Sequence, residues 1–344
     1  MRYLFFAAEH SRLLPFRLLL KRDILKSLHL FLALVIELEN HRCNRVNALV
    51  IVKYRIRNPK GKPHRRRLKT HDRRNRLPCL PCPPFVIENR TGAGGNVATE
   101  AVVHAPADGH TLLLTSLGNA VNATLFEKLN YNFLRDIAPV AGISREPLAM
   151  QVHPSFSAKT VPEFIVYAKA NPGKINYGSA GTGSSLHMAG ELFKLMAGVE
   201  LVHVPYRGSP PALTDLIGGQ VQMTFCPLPP SIEYVRTGRL RALAVTTSTR
   251  SQALPDIPVV ADFLPGYEAS AWYGIVAPKA TPSRIVDKLN AEINAGLADA
   301  KLKARLTELG SVPFAGSPFD FGRHLASETD KWAKVIRAGN IKPE

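Results

Sequence analysis

At 344 residues the chain has room for two domains or one large α/β unit, and its 45% hydrophobic and 21% charged residues are those of an ordinary globular protein. The formal net charge of +17 sits almost wholly in the first quarter: residues 1–84 hold 20 Lys+Arg against 5 Asp+Glu, and residues 85–344 hold 24 against 22. A body so near neutrality does not read as a nucleic-acid binder, and its one cysteine, Cys226, excludes an internal disulfide there.

The head differs from the body along its whole length. Residues 28–40, LHLFLALVIELEN, form an apolar run of helix length, short of the ~20 residues that span a bilayer. Arg12, Arg17, Lys21, Arg22, Asp23 and Lys26 interrupt the approach to it, which is not the pattern of an export signal. Residues 53–84 have no sustained apolar period and cannot build a core. This stretch reads as a basic arm for nucleic acid or an anionic membrane, and the whole head, residues 1–84, reads as disordered or as the product of a shifted frame or wrong start. Cys79 and Cys82 in CLPC have redox or metal spacing but no second pair, so no metal or redox site is expected.

From Phe85 a strand–helix rhythm begins. PFVIEN reads as a strand, RTGAGGN as a glycine turn, VATEAVVHA as a helix and ADGHTLLLTS as a return into a buried strand. It continues with strand LAMQVHP, helix VPEFIVYAKANPG, strand INYGS, helix SLHMAGELFKLMAG, strand LVHVPY and helix SPPALTDLIGG. VQMTFCP, LRALAVTT and GIVAP read as strands, residues 282–310 as helix broken near Asp299, and residues 318–339 as the last helix. Thr281 and Pro282 have the order of an N-cap and first helical residue, and Ile285, Leu289, Ile293 and Leu297 define one buried face. Alternation of this kind predicts mostly parallel sheets covered by helices.

Enzyme motifs fail one by one. TGAGGN follows a strand, but Val97 stands where a dinucleotide fingerprint needs its third glycine. GSAGTGSS lacks a phosphate-loop lysine, Ser184 and Ser185 are in no nucleophile elbow, and no zinc-ligand cluster occurs. His187 reads as a core or rim histidine and Cys226 as a small buried hydrophobe. What remains is a set of turns at the carboxyl ends of strands, where open α/β sheets bind ligands: TSLGN (115–119), GSAGTGSS (178–185) and VPYRG (204–208). Glycines admit a ligand to the backbone, a helix start exposes about four N–H groups, and hydroxyls add donors, a combination suited to a small carboxylate. Ser184 and Ser185 are equally good helix caps, and Arg207 is either a ligand-facing cation or a surface arginine.

ENRTGAGGNVATEAVVHAPADGHTLLLTS, NPGKINYGSAGTGSSLHMAGELFK, HVPYRGSPPALTDLIGGQVQMTF, GRLRALAVTTSTRSQALPDIPVVADF and WYGIVAPKATPSRIVDKLNAEI, in this order, resemble the substrate-binding proteins of tripartite tricarboxylate transporters, the Bug family. The resemblance runs from about Phe85 to the C-terminus. It implies an α/β, two-lobed periplasmic-binding-protein type II fold, with residues 85–144 and 266–344 as an outer lobe and 145–265 as a middle lobe. It implies a cleft lined by Ser116, Asn119, Ser179, Gly181, Thr182, Gly183, Ser184, Ser185, Tyr206, Arg207 and Gly208, with TGAGG nearby. It further implies a monomeric periplasmic receptor that passes a di- or tricarboxylate, amino acid or aromatic acid to membrane transporter subunits, with no catalytic residue, metal, cofactor or nucleic acid. The contrasting readings are a cytoplasmic carboxylate sensor with a basic nucleic-acid arm and a truncated product.

Members of the family begin with an export signal, a strand and a loop of type P-F-x-x-G-G-x-x-D that reaches the ligand's carboxylate; none of this precedes Phe85. A chain lacking that strand would expose unpaired backbone and is expected to aggregate; soluble protein that melts cooperatively would contradict this. Translation of all three frames of the DNA upstream of the Phe85 codon is expected to show the P-F-x-x-G-G-x-x-D loop behind an export signal. Three frames without it would return residues 1–84 to the protein as a genuine head.

Overall fold

The computed structural model describes residues 48–54 and 85–343. The apolar run 28–40, the Cys79–Cys82 pair and most of the basic head lie outside the described residues. In chain order the strands are β1 (Ala48–Tyr54), β2 (Phe85–Thr91), β3 (Thr111–Ser116), β4 (Ile137–Val152), β5 (Asn176–Ser179), β6 (Val202–Pro205), β7 (Met223–Pro227), β8 (Arg241–Val245), β9 (Ser270–Pro278) and β10 (Val312–Pro313). The helices are α1 (Asn96–Val103), α2 (Leu117–Leu125), α3 (Phe133–Asp136), α4 (Val161–Ala170), α5 (Ser185–Ala197), α6 (Ser209–Ile217), α7 (Leu228–Arg236), α8 (Ser283–Leu297), α9 (Ala300–Glu308) and α10 (Pro318–Ala338).

Hydrogen-bonded neighbours follow the order β2-β1-β3-β9-β4-β7-β5-β6, with β8 and β10 also pairing β4. The long strand β4 belongs to two sheets. Its first part, Ile137–Pro147, pairs β9, and its last part, Leu148–Val152, pairs β7. Each sheet with its helices forms one lobe of the two-lobed α/β fold. Among the described residues, parallel pairing is confined to β5 with β6, β5 with β7 and a single bridge between Val245 and Val259. The other ladders are antiparallel, so the sheets are mixed rather than mostly parallel. The physical reason lies in β4 and β9, which carry the chain from one sheet to the other and back, and run against their neighbours.

Both faces of the first sheet are covered, as the alternation in β3 requires. Leu113 faces the core shared with Val121 of α2 and Trp332 of α10, whereas Leu112 and Leu114 face Val286, Ile293 and Leu297 of α8. Burial of each such aliphatic side chain contributes about 1.5–3 kcal/mol. Gly274 of β9 is needed for close approach: a Cβ there would lie 2.1 Å from the Phe321 ring of α10. Asp299 breaks the helix as expected, its carboxylate accepting from Lys301 N and Leu302 N at 3.0 Å each. Thr281 does not cap α8; Pro282 occupies the N-cap position and the helix starts at Ser283.

Strand β1, the apolar run ALVIVKY, lies within the basic head, where the sequence reading assigns no strand. It stands between β2 and β3, antiparallel to both, with Ile51 opposite Glu88 on one side and Leu113 on the other. The backbone of β2 and β3 at this position is therefore paired. Proline in a doubly flanked strand removes a ladder donor. Ile51→Pro is expected to lower the unfolding free energy by about 1–3 kcal/mol from the unsatisfied partner alone, read as a lower urea midpoint of the full chain.

Candidate functional site

The loop between β5 and α5 is built on two left-handed glycines, Gly181 at φ +111° and Gly183 at φ +81°. No larger residue adopts these angles cheaply. Side chains beneath the loop take up its backbone donors. Ser179 Oγ accepts Gly181 N at 3.0 Å and lies 2.6 Å from His203 Nε2. Gly183 N donates to His187 Nδ1 at 3.1 Å. Ser184 caps α5, its hydroxyl accepting His187 N at 3.3 Å. Of the hydroxyls expected to line a cleft, Ser179 is therefore fully buried and turned inward. Thr182 differs: its Oγ1 is buried and has no hydrogen-bond partner.

A second constellation forms around α2. Ser116 and Asn119 start this helix, but Asn119 is turned inward: its Oδ1 accepts Thr115 Oγ1 at 2.9 Å and Ser116 N at 3.0 Å, and its Nδ2 donates to Thr99 Oγ1 at 2.8 Å. One turn on, Asn122 Nδ2 donates to Gly94 O and to Asn96 Oδ1, each at 2.9 Å. Tyr131 OH donates to the same Asn96 Oδ1 at 2.7 Å, which leaves Asn96 Nδ2 buried and unpartnered. The turn 91–96 is thus fastened to α2 by side-chain amides.

The two constellations meet. A Cβ on Gly183 would lie 3.1 Å from Leu125, 3.3 Å from Val121 and 3.6 Å from Asn122 Oδ1. The loop of the second sheet therefore rests directly on α2 of the first, with Asn122 between the two glycine turns. The stretch 204–208 joins through Tyr206, whose N donates to Ser179 O at 3.0 Å and whose hydroxyl donates to Asp215 Oδ2 at 2.6 Å. Burial and the Asp215 carboxylate push the Tyr206 phenol up to about 12. Gly208, at φ +115°, starts α6, and Arg207 is exposed. Asn96, Thr99, Asn122, His203 and Glu191 escaped the sequence pattern. Only Asn122, one helical turn after Asn119, had a legible signal.

Beneath the loop lies a buried titratable cluster. The His187 and His203 rings stack at 4.0 Å, Tyr177 OH donates to Glu191 Oε1 at 2.5 Å, and Lys194 Nζ bonds the same carboxylate at 2.8 Å. Burial first, and Lys194 second, lower His187 to about 4; burial and then His187 lower His203 to about 3. A histidine with a lowered folded pKa stays neutral in the native state while the unfolded chain protonates from about 6.5. Its contribution is complete above that value and is lost as pH falls toward about 4. Unfolding measured in urea between pH 7 and 5 is expected to show on the order of 2 kcal/mol lost through His187 alone, with proton uptake on unfolding. A flat profile over this range would contradict the buried neutral pair.

The sequence model of the Tripartite tricarboxylate transporter family receptor, TctC, matches residues 77–341. Protein BugT of Bordetella pertussis is 35% identical over 262 residues, 75% of this chain and 80% of that protein. An R. palustris protein solved with adipate is 38% identical, with a TM-score of 0.71 over 76% of this chain and 88% of that one. MatC from Rhodopseudomonas palustris, solved with bound malate, is 32% identical, with a TM-score of 0.66 over 72% of this chain and 86% of that one. The chain belongs to the TctC family of tripartite tricarboxylate transporter receptors, the Bug proteins.

Proposed function

We propose that the protein is a periplasmic solute-binding receptor that captures a small organic carboxylate between its lobes and delivers it to the membrane subunits of a tripartite tricarboxylate-type transporter. The lobes comprise residues 85–144 with 266–344 and residues 145–265. The observation that carries the reading is the meeting of two glycine turns, one from each sheet, at Asn122 beside the unpartnered Thr182 hydroxyl. The ligands of the two solved relatives, adipate and malate, are dicarboxylates, and this chemistry is carried over here. Thr182, Ser185 and the first amides of α5 supply donors to one carboxylate, with Ser116, Tyr206 and Arg207 at the margin. An enzymatic reading has little support. Ser184 Oγ is held in a cap and His187 Nδ1 by a backbone amide, so no nucleophile–base pair forms between them.

Calorimetric titration of the full chain with adipate, malate, citrate, glutamate and benzoate tests the reading. At least one is expected to bind at about micromolar Kd, roughly −8 kcal/mol. Thr182→Val, which keeps the shape and removes the hydroxyl, is expected to weaken that ligand by about tenfold or more, the scale of one bond to a charged group. Absence of heat with every acid would overturn the proposal.

A further inference from the structure

Glycine gives the 178–185 loop its shape and also its freedom. A loop with two left-handed glycines holds one conformation only if something other than backbone propensity fixes it. The amides of Gly181 and Gly183 point into the lobe, and each ends on one side-chain atom, Ser179 Oγ and His187 Nδ1. The two acceptors form one unit, because Ser179 contacts His203 at 2.6 Å and His203 stacks on His187 at 4.0 Å.

The tautomer follows from this geometry. Nδ1 accepts an N–H, so the neutral ring carries its proton on Nε2, which faces Glu191 Oε1 at 3.8 Å. That separation is too long for a direct hydrogen bond, yet the carboxylate's field favours the proton on that side. Glu191 is itself held by Tyr177 and Lys194.

We infer that His187 is a positioning residue of the ligand loop: through Nδ1 it holds the Gly183 amide, orders Thr182 and the start of α5, and makes the loop ready for the carboxylate before it arrives. The inference rests on the proposed carboxylate site and adds to it the device that orders the site. Preorganisation of this kind raises affinity by removing an ordering cost at binding. It also assigns the amides of Gly181 and Gly183 to the loop's own structure, leaving the Thr182 hydroxyl and the first turn of α5 as donors.

The test pairs two amides of different reach. In His187→Asn the Oδ1 acceptor sits where Nδ1 sat; in His187→Gln it lies one methylene further out. Hydrogen exchange at Gly183 and the imidazole nitrogen shifts of His187 are read by NMR on the full chain without ligand. Affinity for adipate, malate and citrate and thermal melting at pH 7 are measured alongside. The expected result is the Nε2–H tautomer and a slowly exchanging Gly183 amide in the parent chain. His187→Asn is expected to keep both the protection and the affinity within about threefold, and His187→Gln to lose about tenfold in each. The Nδ1–H tautomer, or unchanged Gly183 exchange in His187→Gln, would overturn the inference, as would faster exchange with unchanged affinity. If the parent chain takes none of the three acids, the carboxylate reading falls, while tautomer and exchange still decide whether His187 holds the loop.

Discussion

Strand β4 hydrogen-bonds β9 through Pro147 and β7 from Leu148 onward, so the boundary between the two sheets falls within a single extended strand. The return path is bound to the same point. Thr246, just after β8, accepts Leu148 N at 3.0 Å through its hydroxyl and lies 2.5 Å from Ala269 O, while Ala269 N donates to Thr246 O at 3.0 Å. Three backbone segments are thus joined by one buried threonine, and the polar groups exposed where the sheets part are satisfied. Everything placed on either sheet inherits its position from this junction.

Helix α10 gives the junction its second support. Glu328 accepts both indole donors, Trp272 Nε1 at 3.0 Å from β9 and Trp332 Nε1 at 2.9 Å from its own helix. Lys331 pairs with Glu268 just before β9. Tyr267, beside it, donates to Ala189 O of α5 at 2.9 Å. The segment that re-enters the first sheet is therefore fastened on one side to α10 and on the other to the helix that opens at the candidate site. A change in the position of α5 has a covalently short route to the junction, through three residues.

The βα rhythm of the body was legible because buried runs such as TLLLTS and VQMTFCP leave little choice of structure. The hidden parts are those where polar or helix-breaking residues are accommodated by a local device. The first half of β4, IAPVAGISREP, contains Pro139, Gly142 and Pro147, and register shifts near Pro139 and Gly142 absorb them. In helix α2 the apolar spacing of Leu117, Ala120, Val121 and Leu125 is masked by Asn119 and Asn122, which are buried beside it and satisfied by partners distant in sequence. Helix α7 starts LPP, which is tolerated because prolines in the first turn lose no internal bond. At the candidate site, residue type singles out three turns but does not tell outward from inward. Ser179 and Asn119 are as polar as Thr182, and only the packing shows that their hydrogen bonds close within the lobe.

The distribution of charge explains why so little of a ligand's identity is written in the proposed site. The two stacked imidazoles are held neutral by burial. Of the fixed charges near the loop, Glu191 is balanced by Lys194, Asp215 is hydrogen-bonded by a neutral phenol, and Arg207 stands exposed at the margin. Apart from Arg207, the attraction for an anion that the proposed site offers comes from dipoles: a hydroxyl, the first amides of α5 and the partial charge of its N-terminus. Dipoles act over a shorter range than net charge and depend on exact placement, since a donor misdirected by a fraction of an ångström loses most of its bond. The proposed design suits the carboxylate group common to many acids and needs rigidity more than charge. That requirement accounts for the number of buried polar side chains beneath a loop that itself presents so few.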